Sequence, residues 1–373
     1  MAVTLIFICL MHFHLTTVQI LCNATGSPPK FPAIFVFGDS TVDTGNNNYI
    51  KTVAKGNHPP YGKTFPGKVP TGRFSDGKIV PDLLASFLGI KDFVPPFLNP
   101  NLPDYELPTG VCFASAGSGY DDLTTVATQA IPMSKQPQYL KEYTERLKVY
   151  VGNEKAIKII SGALTFISAG SNDFLVTYYM TGARRIGFGI NEYQDFIQLR
   201  LRKFVEELYV LGCQKMAVVG VPPIGVLPIQ KTMKFVDPME RSSLEEQNLA
   251  AQSYNQKLEE FLTQIQQSLP GSTIIYIDAY DMILDMFNHP ENYGFTEANR
   301  GCCGTGLFEV GPLCTPITPT CNDSSQYMFW DSVHPTESTY RHLTQNFKKQ
   351  ILLKISTLEA SSATDPLIKY LQE

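Results

Sequence analysis

A serine, an aspartate and a histidine in this chain have the types and settings that nucleophilic catalysis requires. Ser40 comes three residues after the end of the apolar run Ala33–Phe37, so a buried strand would carry its hydroxyl to the edge of a sheet. Asp331 and His334 are three residues apart, which lets the carboxylate hold one imidazole nitrogen. Plainer interpretations stay open, because Ser40 could cap a helix and Asp331 could cap the last one. Ser40 is the candidate nucleophile and His334 the candidate base.

Other chemical signatures are absent or incomplete. Residues 67–73 (GKVPTGR) resemble the start of a phosphate-binding loop, but Arg73 and Phe74 stand where Lys and Ser or Thr are needed. Ser40 is not in a G-x-S-x-G elbow, and no H-E-x-x-H occurs. The chain has 30 Lys and Arg against 35 Asp and Glu, a net charge of -5, and no basic block. We therefore expect no metal, no cofactor and no nucleic-acid partner.

The scaffold that would position these residues is predicted by alternating apolar runs and amphipathic stretches. The apolar runs that read as buried strands are Ala33–Phe37, Ala163–Ser168, Lys215–Gly220 and Thr273–Asp278. The helical patterns are Glu192–Leu211, Leu244–Leu269 and about Thr336–Ile355. This alternation predicts a three-layer α/β sandwich with a mostly parallel sheet, formed by a single domain over residues 26–373. Ligands bind at the carboxyl ends of such strands, which is where Ser40 and the segment 170–173 are expected.

Residues 1–25 are predicted to be a secretory signal peptide. No Lys, Arg, Asp or Glu precedes Lys30, and Val3–Met11 is an apolar run of the length of a signal-peptide core. That run is shorter than the ~20 residues a membrane span needs. Cleavage is expected between residues 21 and 26, and a buried N-terminal strand is the alternative. We expect a secreted protein, in the apoplast or cell wall, with no integral membrane association.

Cysteine spacing and two sequons fit that location. Four cysteines are close together: Cys302, Cys303, Cys314 and Cys321. Adjacent cysteines do not readily bond each other, so each of the first two is expected to bond Cys314 or Cys321. A four-cysteine zinc site would need CxxC pairs, which are missing. Asn23 and Asn322 begin N-glycosylation sequons, and a secreted context favours disulfides.

Six segments, in order along the chain, resemble the plant GDSL-type esterase/lipases of the SGNH hydrolase superfamily, most closely their extracellular-lipase branch. They are FVFGDSTVDTGNNN (35–48), PTGRFSDGK (70–78), FASAGSGY (113–120), GSND (170–173), GCCGTG (301–306) and FWDSVHPTE (329–337). The resemblance extends from about residue 32 to residue 354. It implies the SGNH hydrolase fold, which is a three-layer α/β/α sandwich around a flavodoxin-like sheet.

The resemblance also implies the reaction. Ser40 would be the nucleophile, His334 the general base and then acid, and Asp331 the residue that orients His334. The implied function is a secreted serine hydrolase of carboxylic esters, with a small-molecule or lipid ester as substrate. Two alternatives remain: an acyltransferase that uses the same acyl-enzyme, and a non-catalytic protein that binds lipid or glycan. Neither the acyl-chain length nor the oligomeric state is indicated.

Three hydrogen-bond donors for the reaction's oxyanion are implied in the same way. They are the N–H of Ser40, the side-chain amide of Asn172 and the N–H of a glycine in the segment 113–120. Gly119 fits the family's most regular glycine, and Gly117 is the contender. Just before that segment the family often has Asn, whereas this chain has Cys112, which puts a supporting hydrogen bond in question.

Overall fold

Four parallel strands form the central sheet, in the order β1-β2-β3-β4. The strands are β1 (Ile34–Gly38), β2 (Leu164–Ser168), β3 (Lys215–Val219) and β4 (Thr273–Ile277). Each lies within one residue of a predicted apolar run. The structure, a computed structural model, describes residues 30–234 and 241–363. The predicted signal peptide and Asn23 therefore lie outside the described residues.

An extended segment at 111–115 continues the sheet beyond β1, and the sequence pattern does not predict it. The N–H of Val36 donates to the carbonyl of Val111 (3.2 Å), and the N–H of Phe113 donates back to Val36 (2.7 Å). The N–H of Ser115 then donates to the carbonyl of Gly38 (3.0 Å). Counted in chain order with this segment second, the sheet runs 2-1-3-4-5, which is the flavodoxin-like order.

Eight α-helices occur among the described residues. They are α1 (Val80–Phe87), α2 (Gln136–Val151), α3 (Asn153–Gly162), α4 (Ile190–Val210), α5 (Pro228–Lys234), α6 (Glu245–Ser268), α7 (Tyr280–Asn288) and α8 (Glu337–Ala363). A π-helical segment covers Asp173–Met180, and a separate pair of parallel strands is formed by β5 (Glu297–Gly301) and β6 (Tyr327–Phe329). Short 3-10 turns occupy 46–49, 66–68, 104–109, 122–125, 133–135, 224–226, 290–293, 311–313 and 324–326. None of the described helices is both long and apolar enough to cross a membrane.

Helices cover both faces of the sheet, as the aromatic contacts of neighbouring strands show. Phe166 of β2 is in register with Val36 of β1, so Phe166 and Phe35 point to opposite faces. Phe35 packs edge-on against Tyr143 of α2, with ring centroids 5.2 Å apart. Phe166 packs against Phe347 of α8, at 6.1 Å. Helices α2, α4 and α6 pack in succession on one side, and α1 packs against α8 on the other. The predicted three-layer sandwich is confirmed.

From Phe31 onward the described residues group into one compact unit. Its main hydrophobic core lies between the sheet and the two helical layers. The prediction of one domain over 26–373 stays a prediction, because part of that range lies outside the described residues. A second, smaller cluster of buried residues lies apart from the main core. It consists of Tyr61, Phe74, Ala116, Cys302, Cys303, Cys314 and Trp330.

Candidate active site

The turn after β1 is built around a glycine that no other residue could replace. Gly38 has a φ of +142°, and a Cβ there would lie 1.9 Å from the carbonyl oxygen of Ser168 on β2. The Gln136 side chain of α2 holds this glycine on both sides. It accepts from the Gly38 N–H at 2.9 Å and donates to the Gly38 carbonyl at 2.8 Å. The chain can therefore turn directly after the strand and present Ser40 at the edge of the sheet.

Asp39 stabilises this turn by bonding to the residue that follows Ser40. Its carboxylate accepts from the N–H of Thr41 at 3.0 Å and from the Thr41 hydroxyl at 2.7 Å. Burial raises the pKa of Asp39 to about 6, and the two Thr41 bonds oppose that rise. The two Thr41 bonds favour the carboxylate form, which accepts both of them.

Ser40, His334 and Asp331 form a continuous line of hydrogen bonds, although 294 positions separate Ser40 from His334. The Ser40 Oγ lies 2.8 Å from His334 Nε2. On the far side of the ring, His334 Nδ1 lies 3.0 Å from Asp331 Oδ1 and 2.8 Å from Oδ2. All three side chains are buried, and the Phe74 ring lies against the imidazole with centroids 4.8 Å apart. This is the arrangement in which a histidine removes the proton from a serine hydroxyl.

Asp331 is fully buried and every oxygen of its carboxylate is occupied. Oδ1 accepts from the backbone N–H groups of Val333 (2.8 Å) and His334 (2.7 Å). Oδ2 accepts from the hydroxyl of Tyr61 at 2.7 Å. A buried charge is tolerated only when it is bonded in this way. The contact between Tyr61 and Asp331 is not predicted from the sequence.

Ser40, Gly117 and Asn172 line one cavity, which brings together most of the expected oxyanion donors. Asn172 lies just after β2, and its Nδ2 donates one hydrogen to the carbonyl of Ser118 at 2.9 Å, while the second hydrogen has no partner among the described residues. Gly119 is placed differently: it is buried, and a Cβ there would lie 2.4 Å from the carboxylate of Asp173. Of the two glycines, Gly117 lines the cavity.

Two buried carboxylates hold the segment that carries Gly117, and the sequence pattern predicts a role for neither. Asp43 accepts from the N–H of Ala116 at 3.0 Å, just before Gly117. Asp173 accepts from the N–H groups of Tyr120 and Asp121, each at 2.9 Å. Burial raises the pKa of Asp43 to about 6 and that of Asp173 to about 7. The sequence indicates these two residues only by their place in family-like segments: Asp43 lies within 35–48 and Asp173 within 170–173.

Cys112 also helps to hold the segment that carries Gly117. Its thiol donates to the carbonyl of Val42 at 3.2 Å, and the Asn46 side chain donates to the carbonyl of Cys112 at 2.9 Å. Burial raises the pKa of Cys112 to about 12, so the thiol stays protonated and can donate. The segment after Ser40 is therefore tied to the segment that leads to Gly117.

The cavity at Ser40 has a volume of about 370 Å³ and a mostly apolar lining. That volume is near the lower end for small-molecule sites. Its walls come from several parts of the chain: Ser40, Val53, Ala54, Phe74, Ala116, Gly117, Thr128, Asn172, Leu175, Val176, Met180, Ile229, Phe308, Val310, Gly311, Pro312, Leu313, Val333 and His334. Such a lining suits an aliphatic or aromatic group better than a charged one.

A disulfide-closed loop forms one wall of this cavity. Cys302 is bonded to Cys321 and Cys303 to Cys314, so the expected forward bonding of the adjacent cysteines is confirmed and the open pairing is decided. Residues 308 and 310–313, inside the shorter ring, all line the cavity. We name residues 303–314 the wall loop. Its only ionisable residue, Glu309, turns its carboxylate onto the loop's own backbone N–H groups at 305, 307 and 308.

The remaining candidates lie away from this cavity. Asn322 is exposed, whereas Ser324 of its sequon is buried and donates to Asp76 at 2.7 Å. Cys213 is buried and carries no disulfide. Within residues 30–234 and 241–363, no group of three or more His, Cys, Asp or Glu side chains could hold a metal ion.

Comparisons with known proteins agree on one family. The profile of the GDSL-like lipase/acylhydrolase family matches residues 34–347. A GDSL esterase/lipase of Arabidopsis thaliana is 49% identical over 347 residues, covering 93% of this chain and 96% of the relative. Two others from that plant are 51% and 52% identical, covering 89% and 90% of this chain and 93% and 92% of the relatives. The chain belongs to the GDSL-like lipase/acylhydrolase family.

Proposed function

We propose that this protein is a serine hydrolase of carboxylic esters in which Ser40 carries the acyl group. The observation that carries the proposal is the 2.8 Å contact between Ser40 Oγ and His334 Nε2, beside an apolar cavity large enough for an acyl group. His334 takes the hydroxyl proton as Oγ attacks the ester carbonyl, and Asp331 stabilises the resulting imidazolium. His334 then gives that proton to the departing alcohol. Water next attacks the acyl-enzyme, with His334 again as base, and the carboxylic acid leaves.

The oxyanion formed in each half-reaction is assigned to donors around Ser40. The N–H groups of Ser40 and Gly117 donate to no other group among the described residues, and the second Nδ2 hydrogen of Asn172 is also free. We assign Gly117 in place of the expected Gly119, because Gly119 faces Asp173 and does not line the cavity. Fixed donors of this kind stabilise the tetrahedral intermediate more than the substrate.

The cavity points to an acyl chain as the group bound next to Ser40. Three residues line it and are also more than half exposed: Val53 (64%), Phe308 (53%) and Leu313 (59%). The cavity therefore opens to solvent through an apolar border. A chain longer than the cavity could continue over that border and remain in apolar contact. We propose lipid esters, or other esters with a medium-length or long acyl group, as substrates.

Chain length tests this assignment directly. Across p-nitrophenyl esters from acetyl to palmitoyl, kcat/KM should rise until at least the octanoyl ester. Each methylene removed from water contributes about 0.8 kcal/mol, or roughly fourfold if fully buried. The measurement is initial rates on soluble substrate, with the Ser40→Ala rate subtracted.

A pair of phenylalanines gives a matched control for the chain-length series. Phe308→Ala should lower kcat/KM for the octanoyl ester more than for the acetyl ester, because Phe308 lines the cavity. Phe93→Ala removes a phenylalanine that is 38% exposed and lies outside the lining, so neither rate should change. A peak at acetyl or butyryl would contradict an acyl-chain site.

Secretion is proposed on three features together. These are the apolar run at the amino terminus, the two disulfides and the exposed sequon at Asn322. Protein produced in plant cells should be recovered from the medium and should lose mass on treatment with an N-glycosidase. Asn322→Gln should remove the glycan at that position. Protein that remains inside the cells without glycan would contradict the proposal.

A further inference from the structure

The Tyr61 hydroxyl lies between Asp331 of the proposed triad and the wall loop that lines the acyl cavity. It donates to Asp331 Oδ2 at 2.7 Å and accepts from the N–H of Gly311 at 2.7 Å. Asp331 orients the base, whereas Gly311 belongs to the wall loop and lines the acyl cavity. One oxygen atom thus joins the proposed triad to the wall against which the acyl chain would lie.

The surroundings of Tyr61 hold that oxygen in place. The side chain is 1% exposed, and its ring packs edge-on against Phe74 and Trp330, with centroids 5.6 Å and 6.3 Å away. Burial, together with the nearby Asp331 charge, keeps the pKa of Tyr61 well above its usual value. The phenol therefore stays protonated, and it donates to the carboxylate while it accepts from the amide.

We propose that Tyr61 is a positioning residue that sets the Asp331 carboxylate and the wall loop together, so that the shape of the acyl cavity and the alignment of His334 depend on each other. The two bonds share one oxygen, and a shift of Gly311 would move the hydroxyl that Asp331 accepts. A second link supports the same coupling, because the N–H of Ser332, next to Asp331, donates to the carbonyl of Glu309 in the wall loop at 2.8 Å. This inference rests on the catalytic roles proposed for Ser40, His334 and Asp331.

Tyr61→Phe removes both hydrogen bonds and keeps the ring. With p-nitrophenyl acetate, whose acyl group is too short to need the wall, kcat should fall about 10- to 100-fold, the range expected for losing a hydrogen bond to a charged group. KM should change less than about twofold, because the lost interaction acts on the base and not on the bound ester. The rate at which a fluorophosphonate labels Ser40 should fall in parallel with kcat.

Tyr143→Phe is the matched control. Tyr143 is fully buried and donates to the carbonyl of Leu107 at 2.6 Å, but it lies in the core against Phe35 and does not line the cavity. It should lose a similar amount of thermal stability with kcat unchanged. If the two variants lower kcat equally, the effect of Tyr61 is only structural and the proposal is overturned. A Tyr61→Phe enzyme with unchanged kcat, or with only KM raised, overturns it as well.

The coupling itself is tested by opening the wall loop with Cys303→Ser and Cys314→Ser together. This change should lower kcat on the acetyl ester in the presence of Tyr61 and have a smaller effect in Tyr61→Phe, where only the Ser332–Glu309 bond still joins the wall loop to the residue next to Asp331. If loop opening lowered kcat by the same factor in the wild-type protein and in Tyr61→Phe, the proposed coupling would be overturned. If Tyr61→Phe does not fold, the double variant Cys303→Ser and Cys314→Ser tests the proposal by itself. An unchanged kcat of that double variant on the acetyl ester would refute the proposal. Activity retained by Ser40→Ala would instead refute the proposed catalytic roles, which keeps the two failures distinct.

Discussion

Ser40→Ala is expected to reduce hydrolysis of p-nitrophenyl esters to near the uncatalysed background. Removing the nucleophile of a serine triad has lowered kcat by about 10⁶-fold where it has been measured, with the oxyanion donors giving the remaining rate. The only side-chain hydrogen bond that Ser40 makes among the described residues is the one to His334 at 2.8 Å. Its loss should therefore change the free energy of unfolding by only about 1 kcal/mol. Initial rates and a thermal melt of the same preparation check both parts.

Covalent labelling separates a lost nucleophile from a damaged site. A fluorophosphonate should add one adduct to the wild-type protein, located at Ser40 by mass spectrometry, and none to Ser40→Ala. Ser86→Ala is a suitable control, because Ser86 lies on α1 and does not line the cavity, so this variant should label and turn over like wild type. Residual activity of Ser40→Ala within about tenfold of wild type would refute the assignment of the nucleophile.

The parts of the site that follow strands could be predicted from the sequence. Buried parallel strands appear as continuous apolar runs, and the polar residues after them must lie at the carboxyl edge of the sheet. That reasoning places Ser40 after β1 and Asn172 after β2, where the structure has them. The short spacing of Asp331 and His334 likewise allowed their contact to be expected.

Long-range contacts could not be predicted in the same way. Tyr61 and Asp331 are 270 positions apart, and nothing in the type of either residue indicates the other. Gly117 and Gly119 both occur in one short motif, and only the folded structure shows that Gly117 lines the cavity while Gly119 packs against Asp173. The strand-like segment at 111–115 was missed because its apolar run is short and is followed by small residues rather than by a clear turn signal.

The pairing of the four clustered cysteines, like these long-range contacts, could not be predicted from the sequence. Spacing excluded a bond between Cys302 and Cys303 but allowed two ways to join them to Cys314 and Cys321. The choice depends on how the loop packs. In the structure the shorter ring, from Cys303 to Cys314, lies against the cavity, and the backbone of Gly311 within it reaches the Tyr61 hydroxyl. Disulfide connectivity is thus part of the site's geometry and not only of its stability.

Asn172→Ala should lower kcat about 10²- to 10³-fold with little change in KM, as expected for removing one oxyanion donor. The physical reason is that the Asn172 amide would donate a hydrogen bond to the carbonyl oxygen as negative charge develops on it. That charge is large in the transition state and small in the bound ester. Pre-steady-state measurement of p-nitrophenol release should show that the acylation step itself is slower. A kcat within about threefold of wild type would exclude Asn172 as a donor, and a raised KM alone would make it a binding residue.

Asn48→Ala distinguishes loss of this donor from loss of a local hydrogen bond. The Asn48 amide donates to the carbonyl of Thr71 at 2.8 Å, just as the Asn172 amide donates to Ser118 at 2.9 Å, but Asn48 does not line the cavity. Both variants lose one amide-to-carbonyl bond of similar length, so their losses of thermal stability should be similar. Of the two, only Asn172 lines the cavity, so only its replacement should lower kcat by orders of magnitude. If Asn48→Ala were equally slow, the loss would come from a shifted backbone, and the oxyanion would have to be assigned to the N–H groups of Ser40 and Gly117 alone.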